Sequence, residues 1–371
     1  MPFARRTRAA VKPTASFNRL LDQMEHGGKA AAKAVYRRPA IEAARLWRRM
    51  LPGTGFVGIA GSAGKTTTKE LLYCALKSRY RCTRNTDSNN QLYSIARTLI
   101  ATGPMNQYCV QEVGASERGA FDPMMALLRP QVGVITNIGT DQVVSHRWPE
   151  RLSLCIHHGN DSVLANTRLL EAHQAGSVLA AVATACALGV PLGEAALAVS
   201  RHEPLLGRMS VQPSARGVTF IRDDWKAPLW SLPAVWQFMG DAIAPRKLIV
   251  LGTISDYGGD SSRVYRQSVS QALAVADHVL LAGPRARSLQ AHFAATAGER
   301  LHGFEHIRGA AQRLDGYVRA GDLVLLKGSN QSDHLARLAL ADEQKVSCRR
   351  SSCHRGIFCD RCRLIREPAV S

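Results

Sequence analysis

Residues 56–67 have the sequence Phe-Val-Gly-Ile-Ala-Gly-Ser-Ala-Gly-Lys-Thr-Thr. The apolar run Phe56–Ala60 predicts a short buried strand, and a helical pattern over Thr66–Lys77 follows a glycine-containing turn. Backbone N–H groups of such a turn and the N-terminus of the next helix favour a phosphate group, to which a lysine adds positive charge. We therefore predict a nucleoside triphosphate site at Gly61, Ser62, Gly64, Lys65, Thr66 and Thr67.

The neighbouring segments extend this strand–turn–helix unit. The ordinary Walker pattern requires a glycine at position 59, where this chain has Ile59, so the loop belongs to a different class. Further strand patterns occupy Tyr108–Val113 and Val132–Asn137, with a helical pattern over Ser116–Leu128 between them. This alternation predicts a parallel sheet with helices on both faces.

A second alternating pattern begins at Gly207 and continues to about residue 340. We predict the α/β fold class, with a central phosphate-loop domain on a parallel sheet followed by a smaller Rossmann-like domain. The predicted divisions are a basic helical segment at 1–50, a nucleotide-binding domain at 51–206, a C-terminal α/β domain at 207–342 and a Cys-rich tail at 343–371.

Charge is concentrated at the two ends of the chain. Of the formal net charge of +19, residues 1–50 contribute +9 and residues 345–371 contribute +5. Such ends suit nucleic acid, anionic lipid or an acidic carrier protein, or are simply solvated. Apolar residues at helical spacing in 16–50, interrupted at Gly27 and Pro39, predict two short helices. No apolar run is long enough for a membrane span, which predicts a cytoplasmic protein.

Four of the nine cysteines lie in the tail, where the spacing is Cys348-x4-Cys353-His354-x4-Cys359-x2-Cys362. Tetrahedral Zn²⁺ takes four such ligands, so we predict a structural zinc site of the four cysteines, with His354 able to replace Cys353. The alternatives are a tail with free thiols and a redox or iron–sulfur role. The other five cysteines of the chain are predicted to be reduced, buried thiols: Cys74, Cys82, Cys109, Cys155 and Cys186.

The loop Gly61–Thr67 resembles the G-[TS]-x-G-K-T-T loop of the Mur ligases and folylpolyglutamate synthases. The resemblance continues in chain order over roughly residues 55–340. Its further segments are Asn85–Asn90, Gln111–Ala115, Thr136–Gly139, Gly207–Met209, Ile221–Asp224, Val250–Thr253 and Leu326–Ser329.

The resemblance implies an ATP-dependent, ADP-forming carbon–nitrogen ligase that works through an acyl phosphate on a carboxylate and an amine. It implies that Lys65 binds the ATP β- and γ-phosphates and that Thr66 and Glu112 hold Mg²⁺. It further implies that Arg208 contacts phosphate from a hinge between domains. The remaining implied contacts are Asn137 in the nucleotide site and Asp223 on the ribose. Lys226, at a position where relatives carry other residues, is predicted to bring a replacement cation to the phosphates, the alternative being an exposed lysine without this role.

The chain also departs from the family pattern. The family places a separate substrate-binding domain before the phosphate loop, where this chain has a basic segment of about 50 residues. Gln142 replaces a metal-binding histidine, although His146 lies nearby, and no lysine between Lys77 and Lys226 is available for carbamoylation. We therefore expect a specialised amide ligase acting on an amino-acid, peptide or carrier-linked carboxylate. The alternatives are a degenerate, non-catalytic ATP-binding switch protein and a nucleic-acid-associated ATPase.

Overall fold

The computed structural model describes residues 30–61, 63–86, 91–114, 121–136, 151–170, 174–348, 350 and 357–365. They form two compact units. The first lies within Met1–Gly139, Ile156–Val163 and Gly176–Val199, and the second within Thr140–Cys155, Leu164–Ala175 and Ser200–Ser371. No helix in these described ranges has the length and apolar character that a membrane crossing needs. The domain limits at 50, 206 and 342 stay predictions.

The first unit is built on a four-stranded parallel sheet in the order β2-β3-β1-β4. The strand predicted from the apolar run is β1, whose central position buries both of its faces. The parallel pairing of the four strands confirms the predicted parallel sheet. The elements are α1 Ala30–Arg49, β1 Gly55–Ala60, α2 Lys65–Lys77, β2 Cys82–Arg84, α3 Leu92–Ala101, β3 Tyr108–Glu112, α4 Phe121–Leu128, β4 Val132–Ile135, α5 Ala175–Ala187 and α6 Leu192–Ser200.

The predicted helix break at Pro39 is wrong, because α1 continues through this residue. A proline inside a helix costs about 3 kcal/mol through its missing N–H and its steric clash. Tertiary packing offsets this cost: Ala44 is fully buried, Trp47 Nε1 donates to the carbonyl of Thr102, and Arg48 Nε donates to the carbonyl of Leu128. The helix predicted before Gly27 lies outside the described residues.

The second unit contains a six-stranded sheet in the order β11-β10-β9-β12-β8-β7. All its neighbouring strands are parallel except β7, which pairs antiparallel with β8. The elements are β7 Ser210–Pro213, β8 Thr219–Asp223, α7 Leu232–Asp241, β9 Arg246–Leu251, α8 Ser261–Val275, β10 His278–Ala282, α9 Ala286–His292, α10 Ala294–Ala297, β11 Leu301–Phe304, α11 Ile307–Asp315, β12 Asp322–Lys327 and α12 Ala336–Ala341.

Alternate residues of the central strand β9 belong to different apolar clusters. Ile249 and Leu251 pack in a cluster with residues of α7 and α8, whereas Leu248 and Val250 pack in a cluster with residues of α11 and α12. The sheet is therefore covered by helices on both faces, as expected of a Rossmann-like domain. Strand order reverses between β9 and β12, and the loops at such a reversal leave a crevice at the carboxyl ends of the strands.

A two-stranded sheet of β5 (Ser153–His158) and β6 (Asp161–Asn166) was not predicted from the sequence. Its tight turn contains Gly159 at a φ of 60°, a conformation that glycine adopts without steric cost. Cys155 on β5 is exposed, so the prediction of a buried thiol is wrong there, because it occupies the outward face of this strand. Cys109 is buried as predicted.

Candidate functional site

The phosphate loop connects β1 to α2 in the first unit. Gly64 has a φ of 74° and precedes Lys65, the first residue of α2, without any side-chain cap. A Cβ at Gly64 would lie 2.6 Å from Ser177 Oγ, so both backbone conformation and space require glycine. Thr136 Oγ1 donates to the carbonyl of Ala63 at 2.5 Å, which fixes the loop from the end of β4.

Three predicted residues meet at the start of α2. Lys65 Nζ donates to the carbonyl of Gly61 at 2.6 Å, so its ammonium group lies over the loop. Thr66 Oγ1 donates to Glu112 Oε2 at 2.8 Å, and Glu112 is 2% exposed at the end of β3. The structure therefore brings together a lysine, a hydroxyl and a carboxylate beside a helix N-terminus.

A second layer of contacts orients Glu112. Its backbone N–H donates to Asn85 Oδ1 at 2.9 Å, and Lys69 Nζ donates to the carbonyl of Asn85 at 3.1 Å. Lys69 is fully buried and pairs with Glu70 at 3.1 Å. The contact of Asn85 with Glu112 was not predicted from the sequence. The position of Asn85 after β2, next to β3 in the sheet, is the signal that predicts contact with Glu112.

The chemistry of this cluster fits a magnesium–nucleotide complex. Mg²⁺ prefers oxygen ligands and is usually held by one or two protein groups together with phosphate oxygens. The Thr66 hydroxyl and the Glu112 carboxylate are such ligands, and they lie within hydrogen-bond distance of each other. The positive end of the α2 dipole and the Lys65 ammonium favour the negatively charged phosphates.

In the second unit, Asp223 and Lys327 are register partners at the carboxyl ends of the parallel strands β8 and β12. Their side chains form a buried ion pair, with exposed fractions of 9% and 2%. Lys327 Nζ also donates to the carbonyl of Lys226 at 3.3 Å. Sequence reasoning missed this pair, although the ends of two neighbouring parallel strands necessarily meet at one sheet edge.

A buried charge cluster lies next to this pair. Arg222, whose side chain is fully buried, contacts Asp224 at 3.2 Å and Asp360 at 2.6 Å. Burial alone would lower the pKa of Arg222, but the two carboxylates outweigh this effect and raise it. Burial raises the pKa of Asp224, and the charge of Arg222 offsets only part of this rise. Asp360 belongs to the Cys-rich tail, so part of that tail lies against β8.

Asp333 organises two loops that the sequence analysis matched separately. Its Oδ2 accepts from the N–H groups of Thr253 and Ser329 at 2.7 Å, and its Oδ1 accepts from Thr253 Oγ1 at 2.6 Å. The carboxylate oxygen occupies space that a Cβ at Gly252 would need, and it lies 2.7 Å from a Cβ built at Gly328. Burial raises the pKa of Asp333, and these hydrogen bonds oppose that rise.

A cleft of about 330 Å³ opens at the carboxyl ends of β9 and β10 in the second unit. Its wall includes Tyr257, Tyr265 and Leu289, and Arg285 lies at the same wall with its guanidinium 5.5 Å from the Tyr265 ring. Tyr265 Oη accepts from the N–H of Ile254 at 2.9 Å. The cleft therefore combines aromatic surface with a cationic group.

The remaining predicted residues are placed as follows. Arg208 lies between Gly207 and Met209, both of which have positive φ, and its backbone N–H donates to the carbonyl of Leu205. Lys226 is 56% exposed and lies 3.8 Å from Asp256. Half-buried Thr67 follows Thr66 in α2. The residues Ser62, Asn137, Gln142, His146, Cys353 and His354 lie outside the described residues.

Comparisons with known proteins match segments of both units. Residues 59–151 match the Mur ligase middle domain, and residues 207–330 match the Mur ligase, glutamate ligase domain. The UDP-N-acetylmuramoyl-tripeptide--D-alanyl-D-alanine ligase of Treponema pallidum is 24% identical over 344 residues, which cover 77% of this chain and 74% of that protein. The enzyme of the same name from Synechocystis is 24% identical over 74% of this chain and 71% of its own length.

Solved structures share the fold. A crystal structure of MurF from Acinetobacter baumannii has a TM-score of 0.74 at 20% identity, over 83% of this chain and 81% of that chain. MurF from Thermotoga maritima in complex with ADP has a TM-score of 0.65 at 18% identity, over 83% of each chain. Because its two matched domains are both those of Mur ligases, this chain belongs to the Mur ligase family, whose members are ATP-dependent ligases that form amide bonds.

Proposed function

We propose that this chain activates a carboxylate as an acyl phosphate at the expense of ATP and then joins it to an amine. The observation that carries this proposal is the cluster of Lys65, Thr66 and Glu112 at the N-terminus of α2. The relatives are named for a UDP-N-acetylmuramoyl tripeptide and D-alanyl-D-alanine. A peptide carboxylate and an amino-acid or dipeptide amine are therefore the proposed substrate classes.

The reaction has two steps. A carboxylate oxygen attacks the γ-phosphorus, and the bond from this phosphorus to the bridging oxygen breaks, which releases ADP. The amine nitrogen then attacks the acyl carbon, the carbon–oxygen bond to phosphate breaks, and the nitrogen loses a proton. Phosphoryl transfer depends mainly on positioning and charge neutralisation.

The residues of the first unit supply these two requirements. Mg²⁺, when bound, would neutralise negative charge that develops on the transferred phosphoryl group. Thr66 and Glu112 would hold it, and the Asn85 amide keeps the Glu112 backbone in place. Lys65 exchanges its contact with the Gly61 carbonyl for a phosphate oxygen, so its positive charge follows the transferred group.

The cleft of the second unit suits the amine substrate. Amino acids and dipeptides carry a free carboxylate, and an arginine binds such a group through two parallel hydrogen bonds. Arg285 is the cation of this wall, and Tyr257 and Leu289 offer apolar surface for a small side chain. Replacement of Arg285 by Met is expected to raise the KM for the amine at least ten-fold while leaving the Kd for ATP unchanged.

The other site assignments form part of the same proposal. Thr67 and Asn137 complete the nucleotide site, Arg208 contacts phosphate, and Asp223 binds the ribose from its position beside Lys327. Lys226 is the exposed cation next to this edge and is proposed to approach the phosphates. Unchanged ATP turnover in the Lys226→Ala variant would remove that residue from the proposal.

The cytoplasm is the proposed location, because the reaction consumes ATP. The basic ends are proposed to hold a carrier-linked substrate or a nucleic acid. Binding to oligonucleotides that weakens with salt and disappears on deletion of residues 1–50 would favour the nucleic acid.

A structural zinc ion in the Cys-rich tail also remains a proposal. It rests on the spacing of Cys348, Cys353, Cys359 and Cys362. In the part of the chain that the structure describes, no three His, Cys, Asp or Glu residues form a group able to hold a metal. One equivalent of zinc in the purified full chain would support the site, and a metal-free, folded chain would remove it.

The catalytic test is ADP and phosphate release by the purified chain with Mg²⁺-ATP, across pools of amino acids, dipeptides and peptidoglycan precursors. The Lys65→Ala variant is expected to abolish release, whereas Lys77→Ala, an exposed lysine at the other end of α2, is expected to leave it unchanged. If ATP binds but no pool stimulates release, the ligase proposal fails and a non-catalytic ATP-dependent switch takes its place.

A further inference from the structure

A basic pocket, here called the arginine pocket, lies in the first unit. It has a volume of about 200 Å³ and opens between the last turn of α1 and the last turn of α4. A concave surface lined mainly by guanidinium groups has the chemistry of an anion site. The lining consists of four arginines and two residues of α4: Arg45, Arg48, Arg49, Arg129, Ala126 and Leu127.

The arginine pocket and the phosphate loop lie at opposite ends of the sheet. Gly61 and Lys65 follow the carboxyl end of β1. Arg49 precedes the amino end of β1, and Arg129 precedes the amino end of the parallel strand β4. A strand of six residues spans roughly 20 Å. The arginine pocket is therefore too far from Lys65 to contact phosphates bound at the loop.

Arg48 is the most buried of the four arginines, with 9% of its surface exposed. Its Nε and Nη2 donate to the carbonyls of Leu128 and Arg129 at 2.9 Å, and its guanidinium lies 3.7 Å from the centre of the Phe56 ring. Burial lowers the pKa of Arg48, and the positive charge of Arg129 lowers it further. The two guanidinium groups are therefore close enough to repel each other, and an anion in the pocket would relieve this repulsion.

The backbone at Arg129 is unusual for a residue with a side chain. Arg129 directly follows the end of α4 and has a φ of 48°. Glycine is the common residue at such a position, because the left-handed conformation strains any residue that has a Cβ. Ending the helix therefore does not require an arginine here, and the strained residue brings its guanidinium to the wall of the pocket.

The positive charge of the arginine pocket is only partly balanced. Glu42 pairs with Arg45 at 3.0 Å, and among the described residues no carboxylate forms an ion pair with Arg49 or Arg129. The carboxyl ends of α1 and α4 each contribute about half a negative charge, so about two positive charges remain. A phosphate monoester carries about 1.5 to 2 negative charges at pH 7 and therefore matches this excess.

We propose that the arginine pocket binds a phosphate monoester group at a site separate from the nucleotide site. Arg49 and Arg129 donate hydrogen bonds to the phosphate oxygens from the rim, and Arg48 adds positive charge from its buried position. The phosphate belongs either to a free anion or to a lipid headgroup, and both present the same oxygens and charge. The proposal does not depend on ligase activity.

Calorimetric titration of the full chain with inorganic phosphate tests the site. Mg²⁺ and a non-hydrolysable ATP analogue are present to occupy the nucleotide site. Wild-type protein is expected to bind one phosphate. Arg49→Gln and Arg129→Gly are each expected to weaken this binding at least ten-fold, because a hydrogen bond to a charged group contributes roughly ten-fold to affinity. Arg129→Gly is expected not to lower Tm, because glycine relieves the backbone strain at this position.

Co-sedimentation with phosphatidylcholine vesicles, with and without phosphatidic acid, tests the lipid headgroup as the source of the phosphate. Leu46 and Met50 are 61% and 65% exposed, one turn apart on α1, and each directly follows an arginine of the pocket. At a lipid surface these side chains would enter the interface beside the headgroup. The double variant Leu46→Gln, Met50→Gln is therefore expected to weaken binding to vesicles and to leave binding of inorganic phosphate unchanged.

Arg266→Gln is the matched control, because it removes one exposed arginine from α8 of the second unit. It is expected to change neither phosphate nor vesicle binding. An equal loss in Arg266→Gln and Arg129→Gly would assign the binding to net charge and overturn the pocket. Wild-type protein that binds neither phosphate nor vesicles would overturn it as well. ADP release is expected to be unchanged in Arg129→Gly, so failure here is distinct from failure of the ligase proposal.

Discussion

Replacing Arg222 with methionine is expected to destabilise the second unit severely. The Arg222 side chain is fully buried, and its partner Asp224 is 1% exposed. Removing one partner of such a pair leaves an uncompensated buried charge, which costs roughly 3–5 kcal/mol. The other partner, Asp360, is 21% exposed and is expected to recover much of its hydration. Most of the loss in the free energy of unfolding is therefore expected to come from Asp224.

The loss depends on pH in a defined direction. Burial already raises the pKa of Asp224 in the native protein, and the positive charge of Arg222 opposes this rise. Without Arg222, the folded-state pKa of Asp224 therefore lies further above its unfolded value. A carboxyl group with a raised folded-state pKa is destabilising when ionised, and this penalty shrinks as pH falls toward that pKa. The variant is therefore expected to be most destabilised at pH 7 and closer to the parent at pH 5.

Urea unfolding followed by tryptophan fluorescence measures both effects. With an m value of about 2 kcal/mol/M, the midpoint at pH 7 is expected to fall by about 2 M. Arg287→Met is the matched control, because Arg287 and its partner Glu305 are 74% and 54% exposed and such pairs contribute at most about 1 kcal/mol. A change below 1 kcal/mol in Arg222→Met, or a loss equal at pH 5 and pH 7, would refute the reasoning.

Three further predictions concern other parts of the chain. Gly64→Ala is expected to weaken ATP binding about ten-fold by calorimetry, because an alanine held at the φ of 74° of this position costs about 1–2 kcal/mol. Adding Ser177→Gly removes the steric clash but not this backbone strain, so binding is expected to stay weakened. An unchanged Kd in the single variant would contradict the prediction. Burial raises the pKa of Cys109 to about 12, so native protein at pH 8 is expected to be alkylated at exposed Cys155 and not at Cys109, as mass spectrometry can show. Burial lowers the pKa of His278, so the unfolded state binds the proton first as the pH falls. Tm is therefore expected to decrease as the pH is lowered from 7 to 5, and to decrease less in His278→Phe.

Most strands of the two sheets were predictable because their signals are local, whereas the short strands β2, β7 and β11 were not predicted. A run such as Phe56–Ala60 followed by a glycine turn specifies a buried strand and its exit, whatever the rest of the chain does. Residues that end parallel strands are also brought to one edge by topology alone. The meeting of Asp223 and Lys327 follows from this rule once both strands are recognised.

The unpredicted features depend on tertiary contacts. The helix through Pro39 is stable because of partners some 50 to 80 residues away, such as the carbonyls that accept from Trp47 and Arg48. Asp333 shows no motif, because its partners are two backbone N–H groups and the Thr253 hydroxyl, which meet only when two loops have adopted their conformations.

The contact of Asp333 with Gly252 and Gly328 restricts the substitutions that this chain can accept. Any side chain at Gly252 collides with the carboxylate, while loss of the carboxylate leaves the N–H groups of Thr253 and Ser329 without their acceptor. Changes at the three positions are therefore strongly non-additive. A library of single substitutions at these positions would return only the parent residues. Other combinations of residues at these positions are reached only by simultaneous replacement.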